Sequence, residues 1–115
     1  VNYLQQKKQC LVWNFIEGIN NPMPITTDYL YLRIIGDRSI PDNQFGKIRK
    51  DKSPFIKNLA QKLIKISEIP LAMVMTNNHF EGFGPATANT LGQNLGMREL
   101  IWEEKKQKTL GNFKL

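Results

Sequence analysis

The chain is poor in the residues that build covalent and metal scaffolds. Its 115 residues include one cysteine, Cys10, and one histidine, His79. A lone thiol closes no internal disulfide and builds no cysteine-based metal site. A lone imidazole excludes a centre with two or three histidine ligands from one chain. With no disulfide to form, a reducing cytoplasm is the default expectation. No apolar run approaches the roughly 18 residues a membrane span needs, so no membrane partner is expected. Residues 1–10 are polar, carry Lys7 and Lys8 and lack an apolar core, which argues against a signal peptide. No internal repeat or low-complexity tract interrupts the chain, and no motif calls for a cofactor.

What is present is ordinary in amount and uneven in charge. A content of 41% hydrophobic and 23% charged residues over this length suits one globular domain. We place it at residues 1–102, followed by a polar tail at 103–115. Sixteen Lys and Arg against ten Asp and Glu leave a net charge of +6. Such a balance attracts anions: nucleic acid, a phosphate ester or an acidic lipid. It also serves simply to keep a surface soluble, and the tail lysines, mixed with Glu103 and Glu104, fit that plainer role.

Hydrophobic patterning orders the elements. Residues 1–9 read as a polar helix. Residues 10–16 (CLVWNFI) form a short apolar run with the character of a buried strand. Gly, paired Asn and two prolines make 17–28 a loop. Residues 29–35 (YLYLRII) give the strongest strand. Its near-continuous apolarity favours a parallel sheet covered on both faces. A long basic loop follows at 36–52. Ser53 as N-cap and Pro54 in the first turn open a helix over 53–67. Its apolar stripe comprises Phe55, Leu59, Leu63 and Ile66 beside Ile56, Ala60 and Ile64. Residues 71–76 are another strand, 77–84 a Gly-rich turn, and 85–95 a helix that stops before Gly96. Leu100–Trp102 is expected to pack back on the domain.

Strand, helix and strand in succession imply a right-handed parallel crossover. Three parallel strands leave two open edges, a hazard in water. A closed (β/α)8 barrel removes the edges but needs at least ~200 residues. The alternatives are a piece of a barrel, an assembly that closes edges between chains, or a small open sheet. Self-association or pairing with a missing barrel half is therefore expected. A start at Val1 reads as a fragment or processed product, or as an alternative start codon.

Two motifs carry a family resemblance. Tyr31, Leu32, Arg33, Ile34, Ile35 and Gly36 run on through Asp37, Arg38 and Ser39. Thr76, Asn77, Asn78 and His79 are followed by Gly84, Pro85, Ala86, Thr87, Ala88 and Asn89. Together they resemble the YecE-like family, known as domain of unknown function 72, over about residues 13–97. Where that family often has a histidine before the strand-end glycine, Ile35 stands here. The resemblance implies an α/β fold with parallel strands and crossover helices, corresponding to the C-terminal half of a TIM-type (β/α)8 barrel. It implies no particular reaction.

In such barrels ligands bind at the C-terminal ends of the strands. Three ends are readable: Asn14 and Glu17; Arg33, Asp37 and Arg38; Asn77, Asn78, His79 and Glu81. Parallel neighbours would bring them to one rim. Arg33 interrupts an apolar strand and needs a partner. It either holds a carboxylate or phosphate in a bidentate grip or pairs with Glu17 or Asp37. Asn77 and Asn78 are suited to sugar hydroxyls, or to turn chemistry and helix capping. Gly82 and Gly84 open the last helix, where backbone N–H groups favour an anion or simply allow a tight turn. Trp13, Phe15, Tyr29 and Tyr31 read as core. In the loop, Arg38, Lys47, Arg49, Lys50 and Lys52 surround Phe45, a lid over an anion or a contact for nucleic acid. One interleaved ring falls short of a stacking surface.

Three functions remain open. In a hydrolase- or lyase-like remnant, Arg33 and Arg38 hold an anion, His79 moves a proton, and Glu17 or Asp37 orients it. The alternative is a non-catalytic basic module that contacts nucleic acid. The third is a truncated product without activity. A metal held by His79, Glu81 and Asp37 is a minor possibility, and none is assigned.

Overall fold

The structure is a computed structural model that describes residues 1–16, 23–66 and 68–101. The expectations for Glu17, Ser67, Trp102 and the tail lie outside the described residues. The element order is α1 (Asn2–Gln6), β1 (Trp13–Phe15), β2 (Tyr29–Ile34), α2 (Ser53–Lys65), β3 (Leu71–Thr76), α3 (Asn78–Glu81) and α4 (Gly84–Asn94), with a 3-10 turn at Asp42–Gln44. The three strands form one all-parallel sheet in the order β1-β2-β3. Among the described residues no helix is long and apolar enough to cross a membrane.

Register decides which side chains meet. Leu32 of β2 pairs with Trp13 of β1 and Val74 of β3, and Ile34 pairs with Phe15 and Thr76. Residues paired in this way project to one face of a pleated sheet. That face packs against Ile56, Leu59 and Ala60 of α2, Phe80 of α3 and Leu91 of α4, with Leu32, Ile34 and Ile56 fully buried. Phe55 completes an aromatic cluster, its ring centroid 5.5 Å from Phe15 and 5.3 Å from Phe80. Ile64 sits off the buried stripe of α2 and is 60% exposed.

The opposite face carries Asn14, Tyr29, Tyr31, Arg33, Leu71, Met73 and Met75. Leu71, Met73 and Met75 are 53%, 44% and 56% exposed, and Arg33 is exposed as well. The expectation of a sheet covered on both faces is thus corrected: helices cover one face. Continuous apolarity marks residues that tolerate burial; it does not supply a second layer to bury them. Met73→Ala is accordingly expected to change stability by no more than about 0.5 kcal/mol in urea denaturation. A loss of several times that size would mean that the face is covered.

Helix ends differ from expectation in instructive ways. Lys52, not Ser53, occupies the N-cap position of α2. Ser53 instead donates its backbone N–H to Asp51 Oδ1 at 2.9 Å, and its hydroxyl bonds the same oxygen. The end of α4 follows the reading closely. Gly96 takes a left-handed φ of +81°, its N–H bonds Gln93 O at 3.0 Å, and Met97 N–H bonds Gly92 O at 2.8 Å. These paired bonds satisfy the last carbonyls of the helix.

Candidate functional site

The C-terminal ends of β2 and β3 lie side by side, tied by Asn77 N–H to Ile34 O at 2.9 Å, while Ile35 N–H bonds Phe15 O at 3.0 Å. Asn14 is in register with Arg33, and Arg33 with Met75. These three form one row across the uncovered face. A groove of about 200 Å³ opens there, lined by Tyr31, Arg33, Ile35, Met75, Thr76 and Asn77 among others. Of the ten residues assigned from sequence, Arg33 and Asn77 line this groove and Asn14 lies beside Arg33. No hydrogen bond or ion pair engages the Arg33 guanidinium among the described residues.

Six more of the assigned residues are described, and they are placed elsewhere. Asp37 accepts the Ser39 N–H at 3.0 Å and pairs with Lys50 Nζ at 3.6 Å. Hydrogen bonds from Ser39, aided by the charge of Lys50, lower its pKa from 3.8 to about 2. Its ion pair is with Lys50, not with Arg33. Because the folded value is depressed, its contribution to stability is fully present above pH 3.8 and is lost as pH falls through about 2. A carboxyl-carbon NMR titration should place the Asp37 midpoint near pH 2, and Ser39→Ala should move it toward the ordinary carboxylate range. A wild-type midpoint already in that range would refute the turn geometry. Arg38 is exposed, with a left-handed φ of +64°, just beyond that turn.

His79 begins beyond β3 and turns away from the groove. Its ring meets Phe45 edge-on, with centroids 4.9 Å apart, and its Nδ1 is buried with no hydrogen-bond partner. Asn77 caps α3, its Oδ1 accepting His79 N–H at 2.9 Å. Asn78 Oδ1 accepts Gly84 N–H at 2.7 Å, and Asn78 O accepts Gly82 N–H at 2.8 Å. The two glycine amides assigned to an anion are therefore bonded within the chain. Gly82 also serves the turn, with φ at +118° and an added Cβ only 2.4 Å from Lys47 O.

Glu81, grouped with the strand-end residues by its position alone, proves to be 3% exposed. Its Oε2 accepts the Lys52 N–H at 2.8 Å and its Oε1 the Thr87 hydroxyl at 2.7 Å. Its carbonyl accepts the N–H groups of Arg49 and Lys50 at 2.6 and 3.0 Å. One residue thus fastens the basic loop, the start of α2 and the first turn of α4 together. Nothing in the sequence separates it from an exposed Glu; the Glu81–Thr87 separation of six residues follows no helical period. Among the described residues no three His, Cys, Asp or Glu side chains gather as metal ligands. The loop cations are partly engaged too, since Arg49 Nε donates to Gln44 O at 2.8 Å.

Glu17 lies outside the described residues. No family model, no curated protein and no solved structure matches the chain.

Proposed function

We propose that the chain is a sector of a (β/α)8-type barrel of the YecE-like kind, and that its strand ends bind an anion through Arg33. Three adjacent parallel strands in sequence order support the barrel reading. A barrel continues this order around its ring, whereas an open doubly wound sheet keeps it only as far as the switch point. The bare apolar face and the outer edges of β1 and β3 are where further βα units, or a second chain, would pack. The observation that carries the binding reading is the Arg33 guanidinium. It stands with no described anionic partner on a largely apolar strand, in a groove also lined by Tyr31, Thr76 and Asn77. The reading is of binding rather than turnover, because His79 and Asp37 do not line that groove.

Nuclear magnetic resonance titration of the full chain with acetate and inorganic phosphate tests this. Shifts should centre on the Arg33 Nε–H and the Asn77 amide. Arg33→Lys, which keeps the charge and loses the planar fork, should weaken binding at least about tenfold, some 1.4 kcal/mol. Equal affinity in the variant would defeat the assignment. The nucleic-acid alternative predicts instead a steep loss of affinity with salt.

A further inference from the structure

We infer that the groove selects a small free monocarboxylate with an apolar body over phosphate. This rests on the anion-binding reading and deepens it by naming the ligand class. The polar groups lining the groove point to that class. Arg33 offers N–H donors and cannot accept. The Oδ1 of Asn77 accepts His79 N–H at 2.9 Å, and its NH₂ adds two further donors. The Thr76 hydroxyl is committed to Gly84 O at 2.7 Å. No carboxylate lines the groove, and its one charged group is the Arg33 guanidinium. A cationic fork of donors takes a group made of acceptors.

Charge and shape then narrow the choice. The groove holds one cation, which a carboxylate neutralises in a planar two-bond fit. A phosphate monoester brings roughly −1.5 to −2 charges and would leave negative charge uncompensated. Ile35, Met75 and the ring of Tyr31 supply apolar walls, and Met75 is 56% exposed. A volume of about 200 Å³ corresponds to about seven water molecules, which suits an acid of four to six carbons. A peptide terminus fits less well, because its polar amide would lie against Ile35 and Met75.

Titrations of the isotope-labelled full chain with butanoate, hexanoate, 1-hexanol, N-acetyl-leucine and inorganic phosphate read this directly. Hexanoate should bind about four- to sixteenfold tighter than butanoate, from about two- to fourfold per added methylene. It should shift the Arg33 Nε–H, the Asn77 amide and the Met75 methyl. Hexanol, phosphate and N-acetyl-leucine should each bind at least tenfold more weakly than hexanoate. Arg33→Gln should reduce hexanoate to the level of hexanol. Met75→Ser should erase the chain-length gain and leave butanoate binding intact. Phosphate binding as tightly as hexanoate, and through Arg33, would overturn the ligand class while leaving the anion reading in place. N-acetyl-leucine binding tighter would overturn the free acid in favour of a chain end. No response at Arg33 to any anion would end both readings. Hexanoate shifts that persist in Arg33→Gln, spread over Leu71, Met73 and Tyr29, would reduce the effect to adsorption on the bare face.

Discussion

Gly36→Ala should destabilise the fold by about 3 kcal/mol, lowering the melting temperature by on the order of 10 °C. Two costs combine. Gly36 has a φ of +89°, and a Cβ built there would stand 2.4 Å from His79 O and 2.6 Å from Phe80 N. Left-handed backbone costs a residue with a side chain about 1–2 kcal/mol. The remainder comes from pushing the α3 backbone off the end of β2, where neither side is a flexible side chain able to swing away. Gly46 separates the two costs. Its φ is +112° and nothing lies within 4 Å of its added Cβ, so Gly46→Ala should pay the conformational cost alone. Equal losses in the two variants, measured by thermal denaturation, would show that the close approach at Gly36 does not exist. The approach also bears on the groove, because the backbone that crosses Gly36 carries Asn77 and His79 into place.

Glu81→Ala should cost about 3 kcal/mol, the penalty for two buried donors left without an acceptor. The donors are the Lys52 N–H and the Thr87 hydroxyl, both now within 2.8 Å of the carboxylate. Glu81→Gln should cost about half as much, because the amide oxygen can still take the Lys52 N–H and the Thr87 hydroxyl can turn to accept from the amide NH₂. Thr87→Val should cost less than Glu81→Ala, since the carboxylate retains the Lys52 bond. Urea midpoints order the three variants. Glu81→Ala at wild-type stability would show that the carboxylate is solvated rather than buried. Hydrogen exchange adds a local readout: the Arg49 and Lys50 amides, held by the Glu81 carbonyl, should lose protection as the loop loosens.

The strand-end rim around Arg33 was only partly legible in the sequence. Arg33 stood out because a charge within YLYLRII breaks an apolar run, and the structure leaves it with no described partner in a groove. Asn77 was visible as a strand-end amide with two competing roles. The capping role is realised, since its oxygen accepts the His79 N–H, and the residue also lines the groove. His79 and Asp37 were grouped with Arg33 by following a strand end, and proximity in sequence misled. One turn beyond a strand, the direction of a side chain depends on backbone angles. Gly36 and the left-handed Arg38 carry Asp37 toward Lys50, and α3 turns His79 toward Phe45. α3 itself was read as a turn, because four residues are too few to show a helical period. Glu81 was invisible as a buried hub, because its partners come from Lys52 and Thr87 on either side.

Short-range chemistry was enough to determine the α/β class, the strands β2 and β3, the amphipathic face of α2 and the glycine stop of α4. Each depends on a pattern within one segment: a short apolar run for a strand, three- and four-residue steps along a helix, or a residue that alone tolerates a left-handed bend. Tertiary structure decided which apolar residues are covered, which carboxylate is buried and which cation stays without a described partner. Those outcomes depend on register between strands and on loops that bring distant residues together, and no local pattern encodes a contact whose two halves lie 29 residues apart, as Lys52 and Glu81 do.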